Sequence, residues 1–124
     1  MKQPMFRAVS KETRKYVYGV PIVNSFGSAT FIITAVTDSL SFPIERISDF
    51  CIEVIPATLS QYSGFEDKNG KPIYADDAAV GDCGTTYRTI KFHNGKFVYS
   101  YGNVCEDLCD VHEEIEVYGN VFGI

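Results

Sequence analysis

At 124 residues, 45% of them apolar, the chain is one ordinary domain or two small modules sharing a core, and it needs no disulfide staples to fold. A formal net charge of −5 argues against broad affinity for nucleic acid or anionic membrane, because Lys and Arg drive such binding. No run approaches the length needed to span a bilayer, and Met1-Lys2-Gln3-Pro4-Met5 opens no apolar signal core, so the expectation is a cytoplasmic protein with no membrane contact and with Cys51, Cys83, Cys105 and Cys109 as free thiols.

Apolar alternation and turn punctuation read as β nearly throughout. Met5 to Val9 and Lys15 to Val20 predict two strands joined by Ser10–Arg14, with Pro21 ending the second or confining it to an edge. Asn24–Ser28 reads as a turn. Ala29–Val36 is β-branched and continuously apolar, which predicts a strand buried on both faces. Phe50–Ile55 follows as a strand stopped by Pro56, and Pro56–Ser60 suits a single helical turn with proline at an early position. The segment 41–48 has no clear period.

Further on, Asp67-Lys68-Asn69-Gly70-Lys71 is a tight surface reversal: Asn and Gly tolerate positive φ, and the Asp side chain can accept hydrogen bonds from the turn's own amides. Tyr62, Phe65, Ile73 and Tyr74 would anchor its arms on apolar ground, while Asp67, Lys68 and Lys71 face water. A hairpin from Tyr87 to Tyr101 turns at Asn94-Gly95. A two-residue I′ turn there sets Phe92 opposite Phe97 and Ile90 opposite Tyr99, giving a dry face (Ile90, Phe92, Phe97, Tyr99, Tyr101) and a wet one (Thr89, Lys91, His93, Lys96, Ser100, with Val98). Ile115–Phe122 is a last strand, with a bulge or bend expected at Gly119. The fold expectation is all-β: an N-terminal β subdomain, 1–59, packed on a small SH3-like barrel, 60–124, with at most one or two short helical turns.

One stretch stands out against known sequences. Gln61-Tyr62-Ser63-Gly64-Phe65-Glu66-Asp67-Lys68-Asn69-Gly70-Lys71-Pro72-Ile73-Tyr74 resembles the central signature of the YopX family, small proteins of bacteriophages and prophages. Met5–Tyr18 is similar to that family's opening and Ile115–Phe122 to its close. Ala75–Val80 departs from the family's usual "EGDIV", and many relatives carry a short tail beyond the position of Ile124. The resemblance implies a phage-type β protein and marks Gln61, Tyr62, Gly64, Asp67, Lys68, Asn69, Gly70, Ile73 and Tyr74 as its signature residues; it implies no particular activity.

Chemistry-bearing patterns are sparse. Cys105, Cys109 and His112 would share a face if 102–113 formed a helix, but the paired short spacings of a structural zinc site are missing. Asp76, Asp77 and Asp82 lack the ladder of a calcium loop and read as a solvated loop. No phosphate loop, G-x-S-x-G or H-E-x-x-H occurs. The expectation is therefore no enzyme, no metal and no cofactor. Charge is unevenly spread: Lys2, Arg7, Lys11, Arg14 and Lys15 face only Glu12 at the start, whereas Glu106, Asp107, Asp110, Glu113, Glu114 and Glu116 crowd the end. Arg7, Lys11, Arg14 and Lys15 thus form a candidate interaction surface for an acidic partner, foremost another copy of the chain in a homo-oligomer. A host or phage protein is the other protein partner considered. The alternative is a small nucleic-acid-binding barrel, a reading that the net charge disfavours.

Overall fold

Strand formation follows the β-branched and aromatic runs, and the chain divides where one such run, β5, passes between two compact units, Met1–Gln61 and Tyr62–Ile124. A computed structural model describes residues 4–23, 29–34, 48–81, 87–101 and 104–124; the expected turn at 24–28, the end of the predicted 29–36 strand, the segment 41–47, Asp82 and Cys83 lie outside these. The protein is all-β, with antiparallel pairing in every ladder. Among the described residues helical structure is limited to short turns at 48–50, Pro56–Thr58 and Leu108–Glu114.

In the first unit, β1 (Phe6–Val9), β2 (Tyr16–Val23), β3 (Thr30–Ile33) and β4 (Cys51–Val54) stand in the order β4-β3-β2-β1, and β5 (Ser60–Glu66) begins beside β1 through Phe6↔Gln61 and Arg7↔Ser60. One face carries the core, where Ala8, Ile32 and Val54 are fully buried with Phe6, Val17 and Leu59 packed against them. The short turn Pro56–Thr58 is tied down by its threonine: Thr58 Oγ1 accepts from the Val9 N–H (2.9 Å) and donates to the Ile55 carbonyl (2.6 Å).

Strand β2 does not stop at Pro21. Its first half pairs with β1, as far as Phe6↔Gly19, and its second half pairs with β3 from Val20↔Ile33 to Val23↔Thr30. Proline is tolerated because Pro21 lies beyond the last β1 pair, so no ladder bond on that side needs its missing N–H. The change of partner happens at Gly19, where β3 comes in so close that an added Cβ would overlap the Ile33 carbonyl oxygen and carbon. Only glycine fits there.

In the second unit β5 continues and pairs with β6 (Pro72–Tyr74). Tyr62 lies opposite Tyr74 and Glu66 opposite Pro72, so β5 carries extra residues that bulge at Gly64, φ 87°. Ser63 closes the bulge, donating to the Ile73 carbonyl (2.7 Å) and accepting from the Phe65 N–H (3.1 Å). A second, five-stranded sheet has the order β10-β9-β8-β7-β11, made of β7 (Asp77–Val80), β8 (Tyr87–His93), β9 (Lys96–Tyr101), β10 (Val104–Asp107) and β11 (Glu116–Asn120). A short helix, α1 (Leu108–Val111), and the turn His112–Glu114 carry the chain from β10 to β11. The core of this unit is Ile73, Ala79, Ile90, Tyr99, Leu108, Ile115 and Val117.

The hairpin β8–β9 has the expected register, with Phe92↔Phe97 and Ile90↔Tyr99, and both Asn94 (φ 53°) and Gly95 (φ 79°) are left-handed, as a I′ turn requires. Its two faces are less cleanly divided than the alternation implied. On the dry face Phe92 and Tyr101 reach past the core and are exposed; on the wet face Val98 and Ser100 are buried. The bend in β11 falls where glycine predicted it, as a register shift between Val117 and Gly119 against β7.

Asp76 and Asp77 are not a solvated loop. Asp76 (φ 68°) forms the β6–β7 turn, donating its N–H to the Ile90 carbonyl (2.8 Å) and accepting from the Val121 N–H (2.9 Å). Asp77 is buried and its Oδ2 accepts from the Tyr74 N–H (2.9 Å). Short side chains that stabilise local turns explain both positions.

Gly19→Ala is expected to lower stability by about 1–3 kcal/mol, since a methyl must displace backbone. Gly119→Ala, with no atom within 4 Å of the new methyl, should stay within about 0.5 kcal/mol of the parent. Urea unfolding of the two variants checks the contrast, and equal midpoints would refute the close approach at Gly19.

Candidate functional site

The signature residues converge on one carboxylate. Asp67 is only 5% exposed, contrary to the expectation that it faces water. Its Oδ1 accepts from the N–H groups of Asn69 and Lys71, both at 2.9 Å, and its Oδ2 accepts from the N–H of Val117 at 2.9 Å. The main chain adds Asp67 N–H to Lys71 carbonyl (2.8 Å), Gly70 N–H to Asp67 carbonyl (2.9 Å) and Lys68 N–H to Ile115 carbonyl (3.0 Å). Gly70 takes φ 80°, a conformation available at low cost to glycine, and open space surrounds it. The turn is thereby built on Asp67 and stapled to β11.

The remaining signature residues support this arrangement. Ile73 and Tyr74 are buried, and the Tyr62 and Tyr74 rings lie 5.4 Å apart, burial holding the Tyr62 hydroxyl above its ordinary pKa, with Glu66 adding to the effect. Lys68 approaches Glu116 at 3.6 Å on the exposed side. Gln61 is exposed in β5, opposite Phe6. Each signature residue with a described contact serves the turn or its anchoring, and none meets another in a catalytic arrangement.

Of the four candidate basic residues, Arg7 is withdrawn from the surface. It is 6% exposed and its guanidinium lies 4.1 Å from the Tyr16 ring centre. Arg7 packs instead of presenting charge, because strand alternation puts it beside Tyr18 and next to Tyr16's ring. Lys11 is exposed and paired with Glu53 at 2.9 Å. Arg14 and Lys15 stand exposed in the β1–β2 turn, which Ser10 organises by accepting from the Glu12 and Thr13 N–H groups at 3.2 Å; Arg14 itself is left-handed, φ 61°. The acidic segment is likewise divided. Glu106 binds Arg88 (2.7 Å), Asp107 binds Lys96 (2.8 Å), and Asp110, Glu113 and Glu114 project into solvent.

Cys105, Cys109 and His112 do not share a face, since 104–107 is strand and only 108–111 is α-helix. The Cys105 thiol lies 3.6 Å from Ser100 Oγ, and His112 stacks on Phe65 (4.7 Å) with Nδ1 2.8 Å from the Glu66 carbonyl, which makes Nδ1 the donor. Leu108 and Val111 pack on the core, and Cys109 is exposed. Asp107, Cys109 and Asp110 bring ligand atoms within 4.8 Å of one another on the surface. Cys51, Cys105 and Cys109 are unbridged.

Sequence reasoning passed over two features. Arg88 sits at the edge of a hollow of about 120 Å³ with its guanidinium 5.0 Å from the Tyr99 ring centre and its charge met by Glu106. Across the same sheet, Tyr87 and Tyr118, each 57% exposed, meet edge to face at 5.7 Å above a groove of about 300 Å³ that Lys91, Thr89 and Tyr101 also line. The signal was the alternation itself: Tyr87 falls in step with Thr89 and Lys91, on the polar face of β8.

Asp67→Asn should cost about 2 kcal/mol or more, because one carboxylate oxygen becomes an NH₂ that faces a backbone donor instead of accepting from it. Gly70→Val should cost at least about 1 kcal/mol, with Gly70→Asn costing less, since Asn tolerates the left-handed region. Chemical denaturation of the three variants measures the order, and a Val variant as stable as Asn would show that the dihedral is not the constraint. The Cys109 thiol is held above its ordinary pKa by partial desolvation and by the Asp110 and Asp107 carboxylates. A raised pKa means less thiolate at a given pH, so iodoacetamide at pH 8 should alkylate Cys109 more slowly than an unstructured cysteine peptide, and Asp110→Asn should speed it.

Comparison with known proteins agrees with the sequence. No curated protein matches the chain. Among solved structures it is similar to the crystal structure of protein EF1440 from Enterococcus faecalis, with a TM-score of 0.62 and 20% identity, over 95% of this chain and 92% of that one, a likeness of fold. The profile of the YopX protein family matches residues 5–123, which takes in the Asp67 turn, the β1–β2 opening and the β11 close together. The chain belongs to the YopX family.

Proposed function

We propose that this chain is a cytoplasmic, phage- or prophage-type protein that works by binding and not by catalysis, and that its first partner is another copy of itself. The observation that supports this most is the uneven spread of charge along the chain. Residues 62–124 contain eleven acidic and five basic residues, whereas 1–61 contain five acidic and six basic. The exposed Arg14–Lys15 turn and the exposed Asp110, Glu113 and Glu114 are the complementary remainders. Opposite patches on different parts of one chain favour head-to-tail contact between copies.

The connectivity of the second unit supports reading it as an SH3-like barrel: β7 to β10 form a meander, a short helical turn follows, and β11 returns to pair with β7. Folds of this kind commonly present binding faces. The absence of catalysis rests on chemistry. Cys109 has a carboxylate beside it, but its raised pKa is the wrong direction for a nucleophile, and Arg88 is already neutralised by Glu106.

A second reading, single-stranded nucleic acid on the Tyr87–Tyr118 groove, has exposed rings and Lys91 in its favour. The surplus of acids in 62–124 opposes it.

Reversing both charges, Arg14→Glu with Lys15→Glu, tests the proposal. Light scattering should show association that weakens as salt rises, and the double variant should be monomeric at low salt. An oligomer indifferent to salt and to reversal would refute the charge-paired interface. A monomer that retains single-stranded DNA in filter binding, with retention falling steeply in salt, would replace self-association by the nucleic-acid reading.

A further inference from the structure

Two Asn-Gly dipeptides lie in exposed turns, Asn69-Gly70 and Asn94-Gly95, and they are chemically alike. We propose that Asn94 is a site of spontaneous deamidation and that the folded protein protects Asn69 from the same reaction. In this chemistry the amide nitrogen of the glycine attacks the side-chain Cγ of the preceding asparagine. A new N–Cγ bond closes a succinimide ring while the Cγ–Nδ2 bond breaks. The glycine amide proton passes to a solvent base, and Nδ2 takes a proton from solvent and leaves as ammonia. Water then adds to either ring carbonyl and opens the ring to aspartate or isoaspartate, so water is the only co-reactant. Glycine favours the reaction because no side chain obstructs the attacking nitrogen.

The step requires a free glycine N–H and an asparagine able to rotate its main chain. Neither condition is met at Asn69. The Gly70 N–H is engaged with the Asp67 carbonyl (2.9 Å), the Asn69 N–H with Asp67 Oδ1 (2.9 Å), and the flanking Lys68 and Lys71 N–H groups with the Ile115 carbonyl (3.0 Å) and Asp67 Oδ1 (2.9 Å). The carboxylate 's charge also opposes deprotonation of an amide beside it. Rotating Asn69 breaks several of these bonds together, and each one lowers the population of the reactive conformer.

At Asn94 the turn is held only by the strand ends, with His93 opposite Lys96. The Gly95 N–H has no hydrogen-bond partner among the described residues, and Asn94 and Gly95 are both exposed to solvent. Conversion to isoaspartate would insert a methylene into a two-residue turn whose length sets the strand register, and would add negative charge beside the Lys96–Asp107 pair.

The experiment incubates the intact protein at mildly alkaline pH and follows both sites by peptide mass spectrometry, alongside synthetic peptides spanning 65–74 and 90–99. The free peptides should react at similar rates. In the folded protein Asn94 should react at least about tenfold faster than Asn69. Equal rates in the folded protein, or faster loss at Asn69, would overturn the proposal. Asp67→Asn, with folding checked by circular dichroism, should raise the Asn69 rate and leave Asn94 unchanged. If that variant does not fold, the ratio between the peptides and the intact parent at each site decides the question unaided.

Discussion

The buried carboxylate of Asp67 is the constraint on which the second unit depends. A carboxylate taken out of water is costly unless its lone pairs are met, and here three backbone N–H groups meet them. Two of the donors belong to the turn and one to the last strand, so a single side chain both shapes a loop and fixes where β11 lies. The Lys68–Ile115 main-chain bond reinforces that placement from the neighbouring residue. Ile115 and Val117, the residues that make these two contacts, are in turn part of the apolar core with Ile73 at the foot of the turn. Polar and apolar requirements therefore point to the same register, which is the consistency expected of a sequence that specifies one structure.

This gives the family signature a physical meaning. Its polar letters look like a solvated loop, and such a loop can present a binding surface. In the folded chain the one acid among them faces inward, the glycine supplies a left-handed dihedral, and the aromatic and aliphatic residues on either side are anchors. The substituted segment after it obeys the same logic. Asp76 takes the left-handed position and Asp77 accepts the Tyr74 N–H, so Ala75–Val80 makes a tight β6–β7 turn with its unusual letters.

Much of the β framework was legible because it is decided locally. Asn94-Gly95 dictates a I′ turn, and with it the register of Phe92 against Phe97; Gly119 dictates the bend in β11; Pro56 dictates a turn. What escaped was decided at a distance. Nothing near Asp67 announces that its partner is Val117, nothing in Met5–Val9 distinguishes Arg7 lying over Tyr16 from an exposed arginine, and Pro21 reads as a stop until β2 is seen to exchange β1 for β3 at Gly19. The candidate interaction surface lost Arg7 and kept Arg14 and Lys15 for that reason. Alternation, likewise, assigns a residue to a face and says nothing about how far the core reaches along it, which is why Phe92 and Val98 have the opposite burial to their faces.

The long reach of the Asp67 contact bears on how the chain comes into being. On the ribosome, every ladder among the described residues of the first unit has both its strands once Gln61 has emerged, so that unit can fold while synthesis continues. The second cannot. Its turn carboxylate lacks the third of its donors, and β7 lacks its neighbour, until Val117, fifty residues after Asp67, and the rest of β11 have been released. A nascent chain stalled shortly before that point would leave one oxygen of that carboxylate without its donor and a sheet edge open, the condition in which β proteins exchange strands with their neighbours or are taken up by chaperones.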